Sequence, residues 1–139
     1  MTVITGQVKG AGTDSNVTIT LYGEHGQTGP WRLSTPFRDN FERGQMDCFI
    51  IEAAFMGELH AVKIGHDGKR PNPAWYLETT FVLDELNGGE WEFECRGWLD
   101  TKLSQDGKRV KTLVLTGIHT LPLSIQLHYY IGNNVTLCR

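Results

Sequence analysis

The sequence predicts an all-β protein, an antiparallel β-sandwich of two sheets with about four strands each. Three apolar runs between Leu59 and Glu94 are separated by two turns rich in Gly, Pro, Asn and Asp, which is the pattern of strands joined by tight loops. Between Glu90 and Cys95, apolar residues alternate with three glutamates. Because the side chains of a strand point to opposite faces in turn, this alternation predicts one buried and one exposed face.

The first half of the chain is expected to contribute four of the strands. These lie at Thr2–Thr5, Asn16–Tyr22, Trp31–Leu33 and Gln45–Ala53. The second alternates as a half-buried strand does, and the third is short and expected at a sheet edge. In the fourth, Phe49 and Ile51 share one face, whereas Cys48 and Ile50 share the other. Apolar residues on both faces predict that something covers the outer one.

The second half is expected to supply the remaining strands. In the run that begins at Leu59, His66 falls on the apolar face, so we expect a core histidine rather than a metal ligand. A long connection is expected at Arg96–Asp106, followed by a last strand at Arg109–Leu115. This brings the predicted number of strands to about eight.

Length and charge limit the classes of function. A chain of 139 residues suits one domain with one hydrophobic core. The formal net charge of −3 gives no overall basic field for a nucleic acid. The basic cluster from Lys108 to Lys111 contains no aromatic side chain on which a base could stack. We therefore expect no nucleic-acid partner.

The sequence lacks the common catalytic patterns. It has no serine nucleophile elbow, no phosphate-binding glycine loop before a helix and no His-Glu-x-x-His zinc motif. His60 and His66 lie six residues apart on one predicted strand, about 20 Å at about 3.3 Å per residue, so they cannot share a metal ion. We expect a protein that is not an enzyme.

The cysteines and the hydropathy of the chain bear on its compartment. Cys48, Cys95 and Cys138 are an odd number at wide spacing, and we expect them to be reduced thiols. No apolar stretch is long enough to span a membrane, and no signal peptide is visible. The sequence therefore predicts a cytoplasmic protein.

Four segments together resemble the PLAT, or lipoxygenase-homology, domain. They are TGQVKGAGTDSNVTITLYGEHGQTGPW, FERGQMDCFIIEA, IGHDGKRPNPAWYLETTFVLDE and WEFECRGWLD. They follow one another in the order typical of that family and cover about Thr2 to Thr116. The resemblance implies a PLAT-type sandwich at residues 1–116, with Trp75 and Trp98 packed in the sandwich or against a neighbouring domain. Residues 117–139 fall outside it, as an added strand, a linker or an unstructured end.

Two loops carry oxygen-bearing groups of the kind that calcium prefers. The candidate ligands are backbone carbonyls of Gly12 or Thr13 and the side chains of Asp14, Asp39, Asn40 and Glu42. Several PLAT members hold calcium in these loops, so the resemblance implies a Ca2+ site here. Those members often have an acidic residue just before the tryptophan of the third loop, where this chain has Pro73 and Ala74. Alternatively, the polar residues are turn formers that bond to their own backbone.

Contacts with a membrane are expected at the same loops. In lipoxygenases, exposed tryptophans of the first and third loops enter the lipid interface. The equivalent positions here fall near Lys9 and Arg70, which together with Lys69 would contribute about 1 kcal/mol each at an anionic leaflet. Such weak attachment would need calcium, a partner protein or linked PLAT repeats of a longer chain. Residues expected to meet a protein partner are Trp31, Cys48 and Ile50.

Taken with the loop residues, the resemblance implies a non-catalytic binding module. In the first hypothesis it docks its host protein to an anionic phospholipid surface, assisted by calcium, and is peripheral to the membrane. In the second hypothesis it is a protein-interaction module or structural repeat that binds neither lipid nor calcium.

Overall fold

The computed structural model describes residues 1–86 and 88–120, which form two packed antiparallel sheets. Nine strands lie within these residues: β1 Thr2–Thr5, β2 Val17–Gly23, β3 Gly26–Arg32, β4 Met46–Cys48, β5 Leu59–His66, β6 Trp75–Leu83, β7 Gly89–Leu99, β8 Val110–Val114 and β9 Gly117–Thr120. One sheet has the order β4-β1-β6-β7-β9 and the other β3-β2-β5-β8. The all-β sandwich predicted from the sequence is confirmed.

The core lies between the two sheets and is built from the inward side of each strand. Fully buried residues include Val3, Ile19, Ile64, Leu77 and Phe93. In the alternating run of β7, Trp91 and Phe93 are buried, whereas Glu90, Glu92 and Glu94 beside them are only partly buried. Removal of these apolar surfaces from water is the main driving force that joins the sheets.

Trp75 anchors one end of this core. Its side chain is fully buried, and its indole N–H donates to Thr5 Oγ1 at 3.0 Å. The ring of Phe41 meets it edge-on at 5.2 Å, and Phe49 stacks on Phe41 at 5.6 Å. The expectation that Trp75 packs inside the sandwich is confirmed, and Phe41 fixes a loop against the core.

His66 is a core histidine, as expected. It is buried at the end of β5, where Gly68 N–H donates to its Nδ1 at 3.1 Å and its Nε2 lies 2.7 Å from the Leu99 carbonyl oxygen. This arrangement requires a neutral ring with the proton on Nε2. Burial is the main cause that lowers the pKa of His66 below its ordinary value.

One predicted connection is a strand instead. The sequence led us to expect a loop from Arg96 onward, but β7 continues to Leu99. The cause is a β-bulge, since Cys95 and Arg96 together oppose Glu78 of β6 and Arg96 takes a φ of 46°. The bulge shifts the alternation of buried and exposed residues by one position, so the residues after it do not continue the pattern that predicts a strand.

The strand expected at Gln45–Ala53 is shorter than predicted. Only Met46–Cys48 is strand, and the chain then runs as an irregular segment. Nothing in the described residues covers Ile50, whose side chain is 63% exposed. Cys48 is disulfide-bonded, so the expected reduced thiol is wrong there, whereas Cys95 is free.

The edge strands of the two sheets, β3 and β9, concern two further predictions from the sequence. β3 occupies an edge, as predicted for the strand that holds Trp31. Its expected bounds, Trp31–Leu33, are wrong, because the strand runs from Gly26 to Arg32 and is paired with β2 from its first residue. In the other sheet, β9 is an edge strand and pairs antiparallel with β7. The first four residues of the segment expected as a tail are therefore an added strand, and the predicted tail from 121 to 139 lies outside the described residues.

Candidate metal centre at the loop end

Four loops meet at one end of the sandwich, which we call the loop end. They are residues 6–16, 33–45, 67–74 and 100–109, and the first three are referred to as the first, second and third loops. Thr13 ties these three together, because its N–H donates to the Phe41 carbonyl at 3.0 Å and its hydroxyl donates to the Pro73 carbonyl at 2.9 Å. A Cβ on Gly12 would lie 3.0 Å from the Phe41 oxygen, so the close approach of the loops depends on this glycine.

A buried carboxylate shapes the second loop. Asp47 on β4 is fully buried and accepts hydrogen bonds from Phe41 N–H at 2.8 Å, Asn40 Nδ2 at 2.9 Å and Gln45 Nε2 at 2.7 Å. Arg38 Nε approaches the same carboxylate at 3.2 Å. A buried charge is tolerated only when it is paired and fully bonded, and here that requirement folds the loop around Asp47.

Sequence reasoning did not single out Asp47. Its signal is weak but readable, because Asp47 is an acidic residue in the middle of an otherwise apolar strand and follows a loop rich in donors. A lone acid in such a strand predicts either an exposed face or a bonded, buried carboxylate. The structure shows the second.

Three carboxylates converge on the outer side of this frame. Asp14 of the first loop and Asp39 and Glu42 of the second place oxygens within 4.8 Å of one another, and all three are open to solvent. The pKa of Glu42 is raised, first by partial burial and then by the negative charges of Asp39, Asp14 and Asp47. The cluster thus concentrates negative charge at one point of the surface.

The donor set suits a hard divalent cation. Calcium takes about six to eight oxygen ligands and accepts a mixture of carboxylates, backbone carbonyls and water. The three clustered carboxylates were among the ligands predicted from the sequence, and the structure brings them together. The backbone carbonyls of Gly12 and Thr13, also predicted, stay a prediction.

Asn40 has a different environment from the three acids. Its amide oxygen accepts the N–H of Thr35 at 2.9 Å, and its amide nitrogen donates to Asp47. The predicted ligand is therefore already engaged in holding the second loop. Its role as a calcium ligand stays a prediction, and the structural role is the one its contacts support.

The third loop contributes no carboxylate to the cluster. Pro73 offers its carbonyl to Thr13 instead. Asp67, at the start of this loop, accepts from the Asn16 side chain at 2.7 Å, and that hydrogen bond is the main cause that lowers the pKa of Asp67. Within the described residues, the acidic site is made by two loops.

The predicted contact residues divide between the two ends of the molecule. Lys9, Lys69 and Arg70 are exposed at the loop end. Trp31 is partly exposed on the edge strand β3, with its indole N–H bonded to Thr28 Oγ1 at 3.0 Å. Cys48 is half-buried on the edge strand β4, and Ile50 lies beyond it toward the opposite end. They do not form one surface.

Over most of its length the chain matches a known domain family. The PLAT/LH2 domain matches residues 1–112 of the chain, so the chain belongs to the PLAT/LH2 domain family. The resemblance noted in the sequence is confirmed. The domain is a non-catalytic module in this family.

The curated relatives are much longer proteins. The chain is 34% identical over 131 residues to lipoxygenase homology domain-containing protein 1 of Homo sapiens, covering 94% of this chain and 6% of that protein. It is 36% identical over 102 residues to polycystin-1-like protein 3 of Mus musculus, covering 73% of this chain and 5% of that protein. The chain thus spans only a small part of the length of these relatives.

Among solved structures, the fold is similar to the corresponding part of lipoxygenases. A coral 8R-lipoxygenase, described as calcium-activated through a C2-like domain, matches with a TM-score of 0.72 and 20% identity over 95% of this chain and 19% of that chain. At that identity the likeness shows the fold alone. A calcium-dependent 11R-lipoxygenase matches with a TM-score of 0.60 and 27% identity over 82% of this chain and 16% of that chain.

The described residues contain no helix long and apolar enough to cross a membrane.

Proposed function

We propose that this domain is a non-catalytic module that attaches its host protein to an anionic phospholipid surface, and that calcium held by Asp14, Asp39 and Glu42 assists the attachment. The observation that carries the proposal is the convergence of these carboxylates, from two loops, to within 4.8 Å of one another. Carboxylates at this separation repel one another, and a divalent cation between them removes the repulsion.

The loops around the cluster are already ordered. Thr13 joins the first loop to the second and third, and the Asp47 carboxylate holds the second loop from inside. A preorganised site loses little conformational entropy on binding. This supports a cation site that exists before the cation arrives.

The surroundings of the cluster support attachment to a membrane. Lys9, Lys69 and Arg70 are exposed at the same end of the sandwich, and cations near an anionic leaflet contribute about 1 kcal/mol each. Bound calcium would supply further positive charge and coordination positions for headgroup oxygens. Two lipoxygenases with the same fold are described as calcium-activated or calcium-dependent.

The first experiment is thermal unfolding of the chain in millimolar calcium and in excess chelator. A cation at about a hundred times its dissociation constant stabilises the folded state by about 2.7 kcal/mol, which is several degrees for a domain of this size. We expect that rise with calcium. An unchanged midpoint contradicts the calcium part of the proposal.

The matched variants separate ligands from general charge. Asp14→Asn with Asp39→Asn is expected to abolish both the calcium-induced rise and calcium-dependent binding to phosphatidylserine vesicles. The control, Glu52→Gln with Glu85→Gln, removes the same charge from exposed positions at the opposite end and is expected to retain both. Equal loss in the two double variants would show a non-specific charge effect and overturn the site.

A second candidate function rests on the opposite end, which we call the far end. There, residues 49–57, Leu59 and residues 82–86 are among those that line a pocket of about 400 Å3. Ile50, Phe55 and Leu86 around it are all exposed. Apolar side chains grouped in this way are typical of surfaces that meet another protein.

An Ile50→Lys substitution tests this second candidate. Because Ile50 is exposed, the free energy of unfolding of the variant is expected to lie within about 0.5 kcal/mol of that of the original chain. Its binding to the neighbouring PLAT repeats of a host protein is expected to fall. Unchanged binding would exclude this residue from the contact. Loss of folding would show that Ile50 supports the core.

We place the host protein at the periphery of a membrane. The cytoplasmic location expected from the sequence stays a prediction. The disulfide at Cys48 weighs against it, because disulfides persist mainly in oxidising compartments.

A further inference from the structure

Phe37 is not explained by a calcium site. It lies in the second loop directly before Arg38, and its side chain is fully exposed. Its backbone φ is 59°, in the left-handed region that bulky side chains rarely adopt. A large apolar ring presented to solvent in a strained conformation points to a contact with something outside the domain.

The loop that carries Phe37 is firmly held. Two residues before Phe37 in the sequence, Thr35 N–H donates to Asn40 Oδ1 at 2.9 Å. Directly after Phe37 in the sequence, Arg38 Nε lies 3.2 Å from the buried carboxylate of Asp47. These contacts bracket Phe37 in the sequence, so the exposure of its ring is built into the loop.

Beside this loop lies a pocket of about 460 Å3 whose wall includes Arg32, Arg38 and Arg70. The three arginines come from the end of β3, the second loop and the third loop. Arg32 Nη2 donates to the neutral Asn16 amide oxygen at 2.6 Å. Among the described residues, neither Arg32 nor Arg70 forms a salt bridge with a carboxylate. Their charge is therefore available to a ligand.

We propose that this pocket binds the phosphomonoester headgroup of a membrane lipid through Arg32 and Arg70, while Phe37 enters the lipid interface beside it. A guanidinium group presents a planar fork of donors that matches phosphate oxygens. The pocket supplies two such groups without carboxylate partners. The inference rests on the proposed function, because it names the lipid that the loop end recognises.

Calcium and the phosphate are coupled through shared residues. Asp14 and Asp39 of the acidic cluster also line the arginine pocket. Without a cation their charges oppose an incoming anion; with one, that opposition is removed. Calcium therefore raises the affinity for the phosphate, and the phosphate raises the affinity for calcium by the same factor.

The apolar side chains favour a lipid surface over a free phosphate compound. Phe37 of the second loop is fully exposed, and Val8 of the first loop is 44% exposed at the same end. A soluble phosphate would fill the pocket and leave both in water. A membrane would bury the ring of Phe37 in its interface, where aromatic residues are favoured.

The test of the pocket compares two kinds of vesicle at matched surface charge, one containing phosphatidic acid and the other phosphatidylserine, both in calcium. The original chain is expected to prefer phosphatidic acid. Arg70→Gln is expected to weaken binding to that lipid about tenfold and remove the preference. Lys69→Gln removes the same charge from the neighbouring residue, which does not line the pocket, and is expected to keep the preference.

The test of the anchor uses two exposed phenylalanines. Phe37→Ala is expected to weaken binding to both kinds of vesicle about tenfold. Phe55→Ala, at the far end, changes an equally apolar exposed residue and is expected to leave binding unchanged. Soluble glycerol 3-phosphate is expected to compete with the vesicles for the pocket. The affinity of the domain for glycerol 3-phosphate is expected to be unchanged by Phe37→Ala.

The outcomes separate this inference from the proposed function. Calcium-dependent vesicle binding that is insensitive to Arg70→Gln and to Phe37→Ala overturns the inference and leaves the calcium site intact. Glycerol 3-phosphate that binds as tightly as the vesicles overturns the membrane assignment. Arg70-dependent binding to a phosphoserine peptide, with none to vesicles, overturns it in favour of a protein partner.

Discussion

The two ends of the sandwich differ in how they are built, although they share one core. At the loop end, buried polar groups such as Asp47 and His66 order the loops, and the acidic cluster lies on the outside. At the far end, an irregular apolar segment lines the pocket, and Ile50 and Phe55 remain exposed. The sheets therefore fix where the loops begin, whereas the hydrogen bonds of a few buried groups fix the shape of the loops.

The largest expected effect follows from removal of the buried carboxylate. Asp47→Ala leaves several donors of the second loop without their acceptor, and a broken buried network of this kind costs about 3 to 5 kcal/mol. We expect a matching fall in the free energy of unfolding in urea, together with loss of calcium binding. The control is the Asp100→Ala variant, which removes a loop-end carboxylate whose hydrogen bonds among the described residues stay within its own loop. A similar fall in both would remove the special role of Asp47.

A smaller effect is expected from crowding the contact between the first and second loops. Gly12→Ala would place its Cβ 3.0 Å from the Phe41 oxygen and 3.1 Å from the Arg43 nitrogen, and such overpacking costs about 1 to 3 kcal/mol. Because the two loops would separate, calcium affinity should fall with stability. Gly10→Ala meets no atom within 4 Å but has a φ of 79°, so it reports backbone strain alone. Calcium affinity lowered equally by both variants would contradict the packing argument.

The smallest effect is a dependence of stability on pH through His66. Its pKa is lowered in the folded state, mainly by burial, with Arg109 acting in the same direction and Asp100 and Asp67 opposing it. The unfolded chain therefore binds the proton of His66 more tightly than the folded chain does. Neutral His66 contributes its full share of stability above the unfolded pKa of about 6.5, and this share is lost as pH falls toward the folded pKa. We expect His66→Gln to reduce the loss of stability between about pH 7.5 and 5.5, measured by denaturant unfolding.

Most of the fold could be predicted because buried strands follow a strict alternation. The strand at Leu59–His66 has the predicted starting residue, and the buried and exposed faces of β7 were read correctly up to its bulge. The bulge at Arg96 escaped prediction because it shifts the alternation by one residue, and the sequence then reads as a loop.

The candidate site could be predicted only in part. Asp14, Asp39 and Glu42 were singled out because calcium prefers carboxylate oxygens and the resemblance pointed to their loops. The structure brings them together, and their role as calcium ligands stays a prediction. Asp47 was missed because the hydrogen-bond donors that allow its carboxylate to be buried are brought to it only by the folded second loop, so the sequence does not show them together. Phe37 gave no signal, since its exposure depends on a loop conformation that no periodicity describes.

The four residues of β9 have a consequence for handling the domain. β9 pairs with β7 and so protects part of the longest strand of its sheet from solvent. A fragment that ends where the family match ends, at residue 112, would remove β9 and cut β8. It would leave β7 as an unprotected sheet edge of the kind that recruits other chains. Self-association of such a fragment would then reflect a missing edge strand and carry no information about natural partners.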